Sequence, residues 1–339
     1  MLDPSQHARF RELVEAHDHF VVTTHMNPDG DAIGSEIGLA RFLLRRGADV
    51  RVVNQEATPR NLAYLEESGP AIEVFDPGRH ETLLRGPVLV VLLDNSAPDR
   101  LGRMEPILLD VAEKVLCIDH HPASGTPWRH NILDERECAT AAMIFDLVRS
   151  LGQEPDLPMA EALYAGLATD TGFFRFNSTR ARAHEIAGAL LSAGVEPARC
   201  YREIYERNSP AWTRLLGEAL ARLRLDAGGA VVSVTITREM TERCGAIGVD
   251  TSEMTTFLLA IEGVRIALLF REGDGGRVKV SLRSKGTLDV YRLASEYGGG
   301  GHRNASGIVT SGRLGGIVEE IVARAVGLVS GPGGARDAG

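Results

Sequence analysis

Metal-binding side chains gather in short patches along this chain, most of them closing an apolar run. His25-Met26-Asn27-Pro28-Asp29-Gly30-Asp31 follows Phe20-Val21-Val22-Thr23-Thr24, and Asp94 closes Val88-Leu89-Val90-Val91-Leu92-Leu93. Asp119-His120-His121 follows Val115-Leu116-Cys117-Ile118, and Asp170 stands in Thr169-Asp170-Thr171-Gly172. Strand ends on one edge of a sheet converge in space, so these patches would collect carboxylates and imidazoles in one crevice. That much negative charge is too costly to leave uncompensated. Carboxylate-rich sites with some imidazole suit Mn²⁺ or Mg²⁺ better than a thiolate zinc site. Two such cations about 3.5–4 Å apart can clamp a phosphoryl group and lower the pKa of a bridging water. An imidazolium then stabilises charge building on the oxygens, and we assign that part to His121.

Each patch taken alone has a plainer reading. Pro28 and Gly30 shape the turn that carries Asp29 and Asp31; the two carboxylates can share a pocket, or Asp31 can simply cap the next helix. Asp94 can bridge two metals or satisfy the turn after a buried strand. Adjacent histidines diverge from an extended backbone, so His120 can ligate while His121 faces substrate. Asp119 can ligate or can orient a histidine. It is the patches together, in this order and at element ends, that point to a metal centre.

The elements that must position them alternate. Phe20 to Thr24 reads as a strand. Ile33 to Arg46 reads as a helix with Ile33, Ile37, Ala40, Leu43 and Leu44 on one face, stopped by Gly47. Val50 to Asn54, Val88 to Leu93 and Lys114 to Ile118 are further strands, the last two apolar enough to be covered on both faces. Helices follow over 139–150, 159–168 and 182–193. The pattern predicts an α/β fold with a doubly wound, mainly parallel sheet, in which ligands bind beyond the carboxyl ends of the strands.

The domain plan expected is a catalytic domain over 1–194, a stiff helical linker over 195–209, a smaller α/β domain with a mixed sheet over 210–330, and a glycine-rich, disordered tail over 331–339. In the second domain, strands flank Ala227-Gly228-Gly229 and Gly273-Asp274-Gly275-Gly276. Ser281-Leu282-Arg283-Ser284-Lys285-Gly286 ends a strand with cations and hydroxyls, and Arg283 could fork onto a phosphate. Gly298-Gly299-Gly300-Gly301-His302 lies between a helix and the strand Ile308-Val309-Thr310. A tight backbone loop there could bring N–H groups close to an anion.

With 339 residues, 44% of them hydrophobic, the chain can build two cores. Its net charge of −9 argues against coating long nucleic acid. Cys117, Cys138, Cys200 and Cys244 show no metal or redox spacing and read as reduced thiols. The polar segment Met1 to His19 lacks a signal-peptide core, and no apolar stretch is long enough to cross a bilayer. A cytoplasmic protein with no membrane partner is expected.

The residues His25-x-x-x-Asp29-x-Asp31, Asp94, Asp119-His120-His121 and Asp170 resemble the DHH phosphoesterase superfamily, and the Ser281 to Ser284 and Gly298 to His302 patches resemble its DHH-associated domain. The resemblance covers roughly 20–325, and the compact two-domain form is similar to the NrnA type. It implies a hydrolase that cleaves oligoribonucleotides a few residues long (nanoRNA) and removes the 3′-phosphate of adenosine 3′,5′-bisphosphate. It implies two Mn²⁺, with Mg²⁺ or Co²⁺ as substitutes. His25, Asp29 and Asp94 would hold one ion, and Asp31, Asp94, His120 and Asp170 the other. His121 would contact the scissile phosphate with Asp119 beside it. Arg283, Ser284, Gly299, Gly300, Gly301 and His302 would bind substrate. The alternatives are a cyclic di-AMP or linear dinucleotide phosphodiesterase and a non-catalytic nucleotide sensor; a homodimer is compatible with either. A family II pyrophosphatase would carry an Arg-Lys-Lys patch, which is missing.

Overall fold

The computed structural model describes residues 2–122 and 125–331. The chain forms two compact units, Met1–Arg207 and Asn208–Gly339. The first contains α1 (Pro4–Glu15), β1 (His19–Thr23), α2 (Gly30–Arg45), β2 (Asp49–Asn54), β3 (Ile72–Val74), α3 (Pro77–Arg85) and β4 (Leu89–Leu93). It continues through α4 (Glu105–Asp110), β5 (Val115–Asp119), β6 (His130–Leu133), α5 (Thr140–Ser150), α6 (Leu157–Asp170), α7 (Ala181–Ser192) and α8 (Pro197–Tyr205).

The strands of this unit pair in parallel in the order β3-β2-β1-β4-β5-β6. Unbroken Val/Leu/Ile runs have no polar face to offer water, and β4 and β5 are accordingly buried at each position. Phe20, Val22, Val91 and Ile118 join α1, α2, α5, α6 and α7 in the core on one face. Val21, Val90, Cys117, Leu84 and Leu108 form the core on the other. The direction of strand succession reverses between β1 and β4, which opens a crevice at their carboxyl ends.

Glycines set how closely α2 and α6 cross. A Cβ on Gly34 would stand 2.4 Å from the Ala162 carbonyl oxygen, and one on Gly166 would stand 2.9 Å from the Asp31 carboxylate. Only hydrogen at these positions lets the first turns of α2 meet the last turns of α6. That approach brings Asp31 toward Asp170.

Two boundaries differ from the sequence reading. α2 opens at Gly30 rather than Ile33, because the Asp29 carboxylate accepts the Asp31 and Ala32 amides and caps the helix. Residues 195–209, expected to be a spacer, include α8, whose Cys200 and Ile204 are buried with Val195 in the first unit's core. Apolar residues at near-helical spacing in a charged stretch made a packed helix, and the units divide after Arg207.

The second unit contains α9 (Pro210–Leu220), β7 (Arg224–Asp226), β8 (Val231–Ile236), α10 (Arg238–Arg243), α11 (Met254–Leu259) and β9 (Ile266–Glu272). After these come β10 (Arg277–Ser284), α12 (Val290–Ser295), β11 (Gly300–His302), β12 (Ala305–Ser311) and α13 (Leu314–Ser330). Its mixed sheet runs β11-β12-β10-β9-β8-β7, with β8 and β9 parallel and the other neighbours antiparallel. Apolar layers cover both faces. Among the described residues no helix is long and apolar enough to cross a membrane.

Candidate metal centre

The crevice between β1 and β4 receives each strand-end patch. His25 follows β1, Asp94 follows β4, and Asp119 ends β5 with His120 and His121 just beyond. Asp94 adopts a left-handed backbone, φ 57°, which aspartate tolerates better than most residues with a Cβ. Its amide donates to the Ile118 carbonyl at 3.0 Å, so the turn is tied to β5.

The side chains converge in three overlapping groups: His25, Asp29 and Asp94; Asp31, His120 and Asp170; and Asp94, His120 and His121. His25 Nε2 lies 3.4 Å from Asp94 Oδ2. His120 Nε2 lies 3.5 Å from Asp94 Oδ1, 3.4 Å from Asp170 Oδ2 and 3.8 Å from Asp31 Oδ2. Asp94 therefore faces an imidazole with each of its oxygens.

The surrounding backbone fixes these groups. His25 Nδ1 is 2.8 Å from the Met26 carbonyl, and His120 Nδ1 is 3.3 Å from that of Glu137. A ring that donates Nδ1–H to a carbonyl turns an unprotonated Nε2 toward the crevice, which is the metal-binding tautomer. Asp31 accepts the Thr140 and Ala141 amides at 2.6 and 2.9 Å, so the α5 N-terminus steadies its charge. Thr140 Oγ1 donates to Asp94 Oδ1 at 2.9 Å. Thr140 did not stand out in the sequence; the available signal was a helix N-terminus following β6. Asp119 is fully buried, and its Oδ1 accepts from His121 Nδ1 at 2.8 Å and from the His121 amide at 3.0 Å. That pairing makes Asp119 the orienter of His121.

Burial without matching hydrogen bonds marks the site. His25 Nε2, His120 Nε2, Asp94 Oδ2 and Asp119 Oδ2 are buried with no hydrogen-bond partner. Such atoms are expensive inside a protein unless something satisfies them. Burial and the Arg100 charge pull His25 below its ordinary value. Burial pushes Asp31 up, and burial with the neighbouring carboxylates pushes Asp94 well up. Burial and Asp31 push Asp170 up to about 8. Burial would pull His120 down, but Asp31, Asp170 and Asp119 outweigh it and hold the ring above its usual range. Asp119 moves the other way: burial raises it, and the His121 hydrogen bonds more than offset that. Crowded carboxylates that resist ionisation, beside ring nitrogens turned into the same crevice, fit divalent cations. His25, Asp29, Asp31, Asp94, His120 and Asp170 are the side chains that would hold them.

In the second unit Arg283 projects from β10, with its guanidinium donating to the Leu282 carbonyl at 3.1 Å. Burial lowers its pKa against the pull of Asp250 and Glu253. Ser284, expected to contact substrate, is engaged within the unit. It is buried, its Oγ donates to the Leu288 carbonyl at 2.7 Å and accepts from Asn304 Nδ2 at 2.8 Å, so it ties a loop. The glycine run is less of a loop than expected, since Gly300 and Gly301 enter β11. A Cβ on Gly299 would stand 2.2 Å from the Gly307 carbonyl oxygen, so backbone meets backbone there. His302 ends β11, and its side chain lies outside the described residues, as do 332–339 of the expected tail.

Comparison with known proteins agrees with this architecture. A family described as DHH family, N-terminal domain, matches residues 19–167, and the DHHA1 domain matches 229–330. A Thermus thermophilus protein named bifunctional oligoribonuclease and PAP phosphatase NrnA is 33% identical over 86% of this chain and 84% of its own. The Bacillus subtilis protein of the same name is 27% identical over 87% and 90%. An exopolyphosphatase-related protein from Bacteroides fragilis is 29% identical in its crystal structure and superposes with a TM-score of 0.91, covering 97% of both chains.

Proposed function

The chain belongs to the DHH family, and on that premise we propose that it is a phosphoesterase dependent on two Mn²⁺ ions. We take its substrates to be short oligoribonucleotides, cleaved to mononucleotides, and adenosine 3′,5′-bisphosphate, cleaved to AMP. The observation that carries this reading is the meeting of His25, Asp31, Asp94, His120 and Asp170 at the β1/β4 crevice with buried, unpartnered ligand atoms. The NrnA proteins of T. thermophilus and B. subtilis carry both activities in their names.

Bound divalent cations would supply a water acidic enough to ionise near neutral pH and positive charge against the phosphoryl oxygens. The remaining work belongs to the protein. His25 and His120 anchor Nδ1 to carbonyls, which turns Nε2 toward the crevice. Asp119 orients His121 through Nδ1, and His121 is assigned to share a proton with a phosphate oxygen. Thr140 and the α5 amides hold Asp94 and Asp31 in place, so no reorganisation is needed as charge develops. Arg283 is assigned to a substrate phosphate, where a planar guanidinium can bond twice.

A Mn²⁺ activity panel tests the reading, with dinucleotides, adenosine 3′,5′-bisphosphate, cyclic di-AMP, pyrophosphate and a long RNA as substrates. Turnover of the first two, well above the rest, is expected. Faster cleavage of cyclic di-AMP would move the assignment to a cyclic dinucleotide phosphodiesterase, and equal rates on long RNA would contradict the restriction to short substrates.

A further inference from the structure

Immediately past Asp170 the backbone turns through successive left-handed residues: Gly172 (φ 57°), Phe173 (54°) and Phe174 (66°). Glycine accepts this freely, whereas two phenylalanines do so only when the surroundings compel it. The compulsion is visible. The amides of Arg175 and Phe176 both donate to the Thr171 carbonyl at 3.0 Å. Phe173 packs edge-on against Tyr201 and Tyr205, with centroids 5.0 and 5.3 Å away. Phe174 stacks on His184 at 5.1 Å and 27°. These two rings anchor the strained turn inward.

Phe176 does the opposite. It is 49% exposed and folds back over Gly172, where a Cβ would stand 2.5 Å from its ring. The Arg175 guanidinium carbon sits 5.4 Å from its centroid. A single exposed phenylalanine is ordinary on a protein surface. This one is fixed by a strained, doubly anchored turn, and that turn begins at a side chain of the candidate metal centre. Folding does not require such an arrangement, and strain of this kind collects at functional sites. A rigid aromatic face beside a guanidinium suits a planar base carrying a phosphate.

We propose that Phe176, with the Arg175 guanidinium over its ring, is a stacking platform for the nucleobase of a nucleotide bound at this centre, Arg175 meeting an accompanying phosphate. The proposal rests on the phosphoester reading above and narrows its substrate class to compounds that carry a base. Pyrophosphate and polyphosphate chains would gain nothing from the ring.

The test compares adenosine 3′,5′-bisphosphate with 1-O-methylribose 3,5-bisphosphate, which lacks the base, in the full-length Mn²⁺-loaded protein. In Phe176→Leu the ratio of kcat/KM between the two compounds should fall about tenfold, chiefly through KM, as loss of one base stack predicts. Phe176→Trp should restore it. A ratio within twofold of wild type, or an equal loss on both compounds, overturns the proposal. Should Phe176→Leu fail to fold, Phe176→Trp decides alone: AMP should quench its tryptophan fluorescence beyond the quenching of wild type, and no added quenching overturns the platform. That binding measurement also separates the two ideas. If wild type hydrolyses neither compound, the phosphoester reading falls, while the platform still stands or falls on the quenching.

Discussion

At the crevice, Asp31, Asp94 and Asp119 are buried beside His25, whereas further along the same α2 helix Glu36 is buried beside a single amide, with Asn54 Nδ2 donating to it at 2.8 Å. Both places take carboxylates out of water, yet their consequences diverge. Burial pushes Glu36 up to about 8, so at neutral pH it carries a proton and needs no counterion. The crevice acids are too many and too close for protons to be the only remedy, and the imidazoles among them turn Nε2 toward the same space. A lone buried acid is neutralised from solution; a converged set with histidine nitrogens turned inward is built to receive cations.

The strongest way to break this contrast is to exchange the two fates. Asp94→Asn should lower turnover at least about 10³-fold, since one side chain faces both imidazole groups and the site acts as a unit. Glu36→Gln should keep turnover within about twofold. Steady-state rates on a dinucleotide measure both, and a comparable loss in Glu36→Gln would erase the distinction.

Arg283 extends the comparison to a half-buried cation. Arg283→Ala should raise KM by the equivalent of about 1.5–3 kcal/mol, the usual loss for a hydrogen bond to a charged group, with kcat less affected. Unchanged KM would leave Arg283 as a partner of Asp250 and Glu253 only.

Gly34→Ala tests how the crevice is assembled. The new methyl would meet α6 backbone at 2.4 Å, so about 1–3 kcal/mol of stability should be lost. Mn²⁺ affinity should fall with it as Asp31 and Asp170 separate. A thermal melt with and without the ion checks both effects; a melt matching wild type would show that the helix contact yields easily.

A further effect is one of pH. Glu36 titrates higher in the folded chain than unfolded, near 8 against an ordinary glutamate value of 4.5. Its contribution is therefore complete below the unfolded value and is lost as pH rises through the folded one. Between those limits wild type should lose about 1.4 kcal/mol per pH unit relative to Glu36→Gln. Urea unfolding at pH 5, 6.5 and 8 measures the difference, and a wild type that gains on Glu36→Gln as pH rises would reverse the sign.

Much of this was legible in the sequence. β4 and β5 had to be buried because their runs offer no polar alternation, and a parallel sheet then placed Asp94 and Asp119 at one edge. What stayed hidden depended on contacts across long separations. That Asp29 rather than Asp31 caps α2, leaving Asp31 to bond the start of α5, depends on α5 arriving at that point. α8 read as a spacer because its charged residues dominate its composition, although Cys200 and Ile204 are enough to dock it. A strand-end hydroxyl likewise gives no sign that Ser284 bonds Asn304 and the Leu288 carbonyl. Nothing in local composition announced that Phe173 and Phe174 would take left-handed backbone.

The most direct measurement is a calorimetric titration of the metal-free protein with Mn²⁺, in wild type and in Asp94→Asn. The account predicts about two equivalents bound per chain in wild type, with stoichiometry and affinity both reduced in the variant. Absence of binding to wild type at millimolar Mn²⁺, or identical isotherms for the two proteins, would contradict it.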